Sequence, residues 1–162
     1  MWYPAFMSGI HVYETARCTF SSVPEYIQAY VESHAAKSGE VLLELRAPLG
    51  DVMLERDVIA TLKPLPHFSG YERMQIRWVP KATGPYPAFD GILNVSDEGA
   101  GLCRIDLDGA YQPPFGPAGI LFDAAVGKRI AENTVHELLK EVKAFFESAE
   151  RAKYPEEAVA VH

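Results

Sequence analysis

The stretch ILFDAAVGKRIAENTVHELLKEVKAFFESA, from Ile120 to Ala149, decides the fold. On a helical wheel Ile120, Ala124, Gly127, Ala131, Val135, Leu138, Val142 and Phe145 share one stripe, and Lys128, Glu132, His136 and Lys140 lie opposite. That spacing predicts an amphipathic helix with one buried face and one wet face. At about 1.5 Å per residue such a helix is a rod about 45 Å long. Its stripe needs a large apolar surface to cover it, and the rest of the chain must supply that surface as a sheet.

Immediately upstream, Pro113-Pro114 and Gly116-Pro117 separate the helix from a strand over 102–111, with Cys103, Ile105, Leu107, Gly109 and Tyr111 in one phase. Arg104, Asp106 and Asp108 occupy the other phase and read as a solvated outer face. Further back the period stays at two. Phe89, Gly91, Leu93 and Val95 alternate before the turn Asp97-Glu98-Gly99, and Met74, Ile76 and Trp78 share a phase within 71–79. A long strand is expected over Val52 to Leu62, closed by Pro64-Leu65-Pro66, and Val41, Leu43 and Leu45 alternate before Pro48-Leu49-Gly50-Asp51. Strands joined by such short turns are antiparallel neighbours.

The first strand spans Gly9 to Phe20, with Val12, Ala16, Cys18 and Phe20 on one side. Ser21 or Ser22 before Pro24 starts a helical run in which Tyr26, Ile27, Tyr30, Val31 and His34 recur until Ser38-Gly39. The pattern fits either one helix or two short ones within 24–38. The expected class is therefore α+β: a curved antiparallel sheet of six or seven strands, six of them visible as alternation, gripping a long C-terminal helix.

The length of 162 residues fits one domain, 1–162, with 1–8 and 151–162 as peripheral tails. Apolar residues at 48% and charged residues at 23% match a globular chain. A net charge of −7, with 15 scattered basic residues, argues against a nucleic-acid partner, because neutralising phosphates takes clustered Lys and Arg. Met1 to Ser8 lacks the features of a signal, and no apolar run approaches the roughly 18 residues of a membrane span. The expected location is the cytoplasm, as a monomer or homodimer. Cys18 and Cys103 sit in strand-like alternation and read as buried small hydrophobes.

Several phrases go beyond pattern. Arg77-Trp78 is followed by Tyr86-Pro87-Ala88-Phe89-Asp90. The last strand runs into Asp108-Gly109-Ala110-Tyr111-Gln112-Pro113-Pro114-Phe115-Gly116, and the helix opens at Phe122-Asp123 and continues Val126-Gly127-Lys128-Arg129-Ile130-Ala131. With the order strand, short helical segment, antiparallel strands and long C-terminal helix, the chain resembles the START/Bet v 1-like (SRPBCC, helix-grip) superfamily, in a mostly uncharacterised bacterial branch. The resemblance is tightest from Arg77 to Glu141. The chain departs from the superfamily's seven strands, with six read here, and from its two short helices after the first strand. The resemblance implies a cavity between helix and sheet, in a superfamily of lipid, sterol and hormone binders, polyketide cyclases and aromatases, and chaperone-type regulators.

Polar residues in otherwise apolar phases mark the candidate site. Arg56 shares the phase of Val52, Leu54, Val58, Ala60 and Leu62; Glu14 that of Val12, Ala16 and Cys18; Glu72 that of Met74, Ile76 and Trp78. A buried charge must be paired, ligand-bound or near solvent. Arg56 is thus expected to meet Glu14, Glu72 or an acidic ligand, since its planar fork suits a carboxylate. Trp78 and Tyr111 combine apolar area with one polar atom and are expected to line the pocket. The loops Pro64 to Gly70 and Pro80 to Pro87 are candidates for its mouth.

Catalytic signals are sparse. The five histidines show no metal spacing, so neither a metal nor another cofactor is expected, and His136 falls on the wet face of the helix. Gly99-Ala100-Gly101 sits in a hairpin with no helix after it, which rejects a nucleotide fingerprint. The leading reading is binding of a small hydrophobic or amphipathic ligand. A polyketide cyclase or aromatase without metal is the alternative, followed by an interaction module with a filled cavity.

Overall fold

The computed structural model describes residues 8–37, 40–49, 51–80, 88–112 and 124–155. Alternation becomes strand over most of its length, but β1 is Ser8–Arg17 and stops three residues short of the expected end at Phe20. Phe20 instead opens a 3₁₀ turn, Phe20–Ser22, leading into helix α1, Val23–His34. Then follow β2 (Ala35–Lys37), β3 (Glu40–Leu49), β4 (Val52–Phe68), β5 (Tyr71–Pro80), β6 (Ala88–Gly99), β7 (Leu102–Gln112) and helix α2 (Ala124–Lys153). Among its described residues the segment 24–38 therefore holds one helix and the whole of a short strand. Its three-residue β2 is the strand that alternation left unseen.

All seven strands form one sheet in the order β1-β7-β6-β5-β4-β3-β2, and every neighbouring pair is antiparallel. The chain's first strand closes against its last, and short turns join β3 through β5 and β6 to β7. Gly99, Ala100 and Gly101 carry the last of these turns with positive φ throughout, and the Asp97 carboxylate accepts from Gly99 N at 2.8 Å.

The prolines at 64 and 66 do not close β4. They lie inside it, because β3 pairs with β4 only as far as Ala60. Beyond that point one side of β4 is a sheet edge, where a missing N–H removes no ladder bond. The strand turns at Ser69-Gly70 instead.

Helix α2 packs against both β1 and β3, close to opposite edges of the sheet, so the sheet curls around it. Ile130, Ala131, Val135, Leu138, Leu139, Val142 and Phe146 are buried along its stripe. On the sheet side Val58, Ala60, Leu62, Met74, Ile76, Leu93, Val95, Ile105 and Leu107 are buried beneath it. Each fully buried aliphatic side chain contributes roughly 1.5–3 kcal/mol by leaving water, so this interface is the main source of cohesion. The helix runs to Lys153, four residues beyond the expected end, because its last turn is used for side-chain contacts. Ile120 and the loop 81–87 lie outside the described residues.

Candidate functional site on the concave face

Register places the expected aromatic residues in one row. Ala60 opposes Trp78, Trp78 opposes Phe89, and Phe89 opposes Tyr111, across β4, β5, β6 and β7. All three aromatics are buried on the face that α2 covers. Trp78 and Phe89 stack with ring centroids 4.5 Å apart at 25°.

The Phe89 ring lies over Gly91 and Gly109, which oppose each other on β6 and β7. A Cβ at Gly109 would stand 2.6 Å from Phe89 Cζ and 2.6 Å from the Asp90 carbonyl; one at Gly91 would stand 2.5 Å from the same ring carbon. Both positions must therefore be glycine for the ring to lie flat against the backbone. Phe89 was visible as a strand residue, but its part in the row needs the Gly91–Gly109 pairing, which alternation does not reveal.

Glu14 and Glu72 belong to a different row, near the other end of the sheet. Glu14 opposes Ile105, Ile105 opposes Val95, and Val95 opposes Glu72. Three strand spacings separate them, about 14 Å. Each has its own partner. His136 Nε2 is 3.1 Å from Glu14 Oε1 with Lys143 Nζ 4.0 Å from Glu14 Oε2, and His67 Nδ1 is 2.7 Å from Glu72 Oε1. The expected pairing of Arg56 with either carboxylate is overturned by register. Arg56 opposes Leu45 and stands eight residues before Pro64, the residue opposite Met74. At about 3.3 Å per residue that is about 26 Å along the strand, and Glu72 lies further still. The backbone puts Arg56 toward the aromatic end; its side chain lies outside the described residues.

His136, read as a surface residue, is half-buried through its contact with Glu14. Asp106 is on the outer face as expected, but it is pinned there by Arg104 Nε at 3.1 Å and His11 Nε2 at 2.8 Å. Pro64 to Gly70 forms strand and turn rather than a loop.

The Glu14 end is tied together by the C-terminus of α2. Glu150 accepts from Thr19 N at 2.9 Å, Thr19 Oγ1 at 2.8 Å and the Tyr26 hydroxyl. Glu147 accepts from Arg17 N at 3.0 Å, and Lys153 reaches Ser22 and Glu25. Burial, and then the bond to Glu150, push the Tyr26 hydroxyl pKa well up. Behind this strap Cys103 Sγ donates to the Cys18 carbonyl at 3.2 Å. Its hydrogen bond to Cys103, together with burial, pushes the Cys18 thiol far up, which leaves it an inert core residue.

Tyr30, on the buried face of α1, is 1% exposed. Its ring lies 4.4 Å from that of His34 and meets Phe145 edge-on at 5.4 Å. Its hydroxyl is fully buried and has no hydrogen-bond partner among the described residues, an arrangement that costs on the order of 1–3 kcal/mol. Burial, then the charge of Glu141, push its pKa well up. No sequence pattern flagged it, since a Tyr on a helix's apolar face reads as core.

Among the described residues two open grooves flank the sheet. One of about 490 Å³ runs between β1 and α2 and is lined by Ile10, His11, Tyr13, Lys128, Asn133 and His136. The other, of about 610 Å³, lies on the outer face between Phe68, Tyr71 and Arg73 on one side and Arg104, Asp106 and Asp108 on the other. Among the described residues no helix is long and apolar enough to cross a membrane.

No family model and no curated protein matches the chain. Solved structures do. The Zhui aromatase/cyclase of Streptomyces sp. R1128 is 12% identical, with a TM-score of 0.54 over 90% of this chain and 94% of its own. A Thermus thermophilus protein is 14% identical, with a TM-score of 0.50 over 88% of this chain and 99% of its own. At those identities the likeness establishes fold alone. The chain shares the fold of these two structures, here a curled antiparallel sheet around a C-terminal helix.

Proposed function

We propose that the protein binds a small hydrophobic or amphipathic ligand between the concave face of the sheet and α2. The observation that carries this reading is the row Trp78, Phe89 and Tyr111 on the inner face. Aromatic surface with a few polar atoms is the usual lining of a small-molecule site. The paired glycines beneath Phe89 support it further, because they hold a large ring flat where any other residue would push it outward. In this reading Trp78 and Tyr111 line the ligand. Arg56, in the phase of Val58 and Ala60, meets a polar group of the ligand at that end. Glu14 and Glu72, about 14 Å apart on their own row, border the far end.

Native mass spectrometry of the purified protein tests this directly. A retained small molecule is expected, lost or weakened in Trp78→Ala and Tyr111→Phe. A ligand-free spectrum, with no uptake of a fluorescent apolar dye such as anilinonaphthalene sulfonate, defeats the reading. Unchanged dye affinity in both variants and in Arg56→Ala removes the site assignment but not the binding.

A cyclase- or aromatase-type enzyme is the second reading. It is supported by the fold shared with the Streptomyces enzyme and by the Glu14–His136 contact at 3.1 Å, a carboxylate–imidazole pair suited to moving protons. Retained ligand without turnover of a poly-β-ketone mimic would favour binding over chemistry.

A further inference from the structure

We infer that the Tyr30 hydroxyl is the buried hydrogen-bond donor for the ligand, and that the ligand is an apolar molecule with a carbonyl-type oxygen at its inner end. This rests on the binding reading above and gives it a chemical class.

Buried polar groups in folded proteins are almost always satisfied, so one that is not calls for an explanation. Among the described residues Tyr30 Oη is the buried side-chain polar atom left without a partner. The other buried or half-buried hydroxyls nearby are all engaged: Tyr26 with Glu150, Ser22 with Tyr154, and Thr134 with the Ile130 carbonyl. Helix α1 lies against β3, β4 and β5 and against α2, so Tyr30 belongs to the layer that closes the concave face. None of its described neighbours, Glu141 included, takes the hydrogen bond. Phe145 meets it edge-on, and His34 Nδ1 is held 2.9 Å from the Tyr30 carbonyl.

The chemistry of the missing partner follows. Burial and the Glu141 charge keep the phenol protonated, so it is a standing donor and needs an acceptor. An aliphatic or aromatic hydrocarbon offers none, and a ketone, aldehyde or amide oxygen does. A site built around a buried donor discriminates strongly against the analogue that lacks the acceptor, because that analogue leaves the donor unpaired.

Two isosteric probes separate the possibilities: 2-acetylnaphthalene, with a carbonyl, and 2-isopropylnaphthalene, without one. Equilibrium dialysis of each against the full chain and against Tyr30→Phe gives four affinities. The wild type is expected to prefer the ketone by about tenfold, in line with one well-made hydrogen bond, and the variant to bind both alike. Ligand-free Tyr30→Phe should melt no lower than the wild type, because it removes a hydroxyl that bonds to nothing. An equal ketone preference in both proteins overturns the inference, as does a fall of several degrees in the variant's melting temperature. Failure of both probes to bind the wild type defeats the binding reading itself, and this inference with it.

Discussion

The two ends of the concave face are built on opposite principles. At the Arg17 end, polar side chains from the last turns of α2 reach across to the start of the 3₁₀ turn and α1, and one carboxylate, Glu150, receives three hydrogen bonds. At the Tyr111 end the described residues meet through aromatic area and through two glycines that let a ring touch backbone. The first end is directional and fixes the angle between the helices; the second depends on shape. A fold that grips a helix needs one end held, and here the polar end holds it.

Substitutions that trade one principle for the other test this contrast. The largest effect is expected at the aromatic end. Gly109→Val sets a branched side chain where even a Cβ would be 2.6 Å from the Asp90 carbonyl and from Phe89. Overpacking of that kind costs about 3 kcal/mol, at the upper end of its usual range, read as a lower denaturant midpoint. It should also expel Phe89 from its stack with Trp78, visible as a change in tryptophan fluorescence. A neutral Gly109→Val would mean that the ring does not rest on the backbone.

Next comes the strap. Glu150→Ala strands Thr19 N, Thr19 Oγ1 and the Tyr26 hydroxyl and should cost about 2 kcal/mol. It should leave Trp78 fluorescence unchanged, since the two ends share no residue. Strain passing from one to the other would show as coupling in the Glu150→Ala, Gly109→Ala double mutant, where additivity is expected.

The strap and α1 also impose a pH dependence. The folded pKa values of Tyr26 and Tyr30 lie above their unfolded values. Their contribution is therefore complete below about pH 10, where unfolded tyrosine begins to ionise. Above it the unfolded state releases protons that the folded state keeps, so stability falls as pH rises, by at most about 1.4 kcal/mol per pH unit for each tyrosine. Replacing both by Phe should flatten the alkaline limb of the stability profile, and an unchanged limb would show that neither is held protonated.

How much of this the sequence disclosed depends on the distance over which each feature is encoded. Period-2 alternation reports which face a residue occupies, so the burial of Trp78 and Tyr111 and the α2 stripe were legible. Alternation does not report position along the strand, and on that ground Arg56 was paired with carboxylates about 26 Å or more away. The β2 strand was invisible because three residues carry no period. The strap was invisible because Glu150 and Thr19 are 131 residues apart, and nothing local marks a carboxylate as the partner of a distant amide. Pro64 and Pro66 misled for a related reason. Proline is a strand breaker only where both sides are paired, and whether β3 extends that far is a property of the sheet.

The smallest expected effect is beside the strap, at Glu14. Glu14 contacts His136 at 3.1 Å, with the side chains 24% and 45% exposed. Partly solvated pairs of long side chains contribute little, because water screens the attraction and holding both groups in one geometry costs entropy. Glu14→Gln should thus lower stability by about 0.5 kcal/mol, within reach of a careful urea titration. The value of the measurement lies in its upper limit. A loss near 2 kcal/mol would mean that the carboxylate is more desolvated than its exposure suggests, and that the imidazole depends on it for its orientation. That is the condition a proton-moving pair requires, so a large effect here would shift weight from the binding reading toward the cyclase-type one, and a small one leaves Glu14 as a border residue of the site.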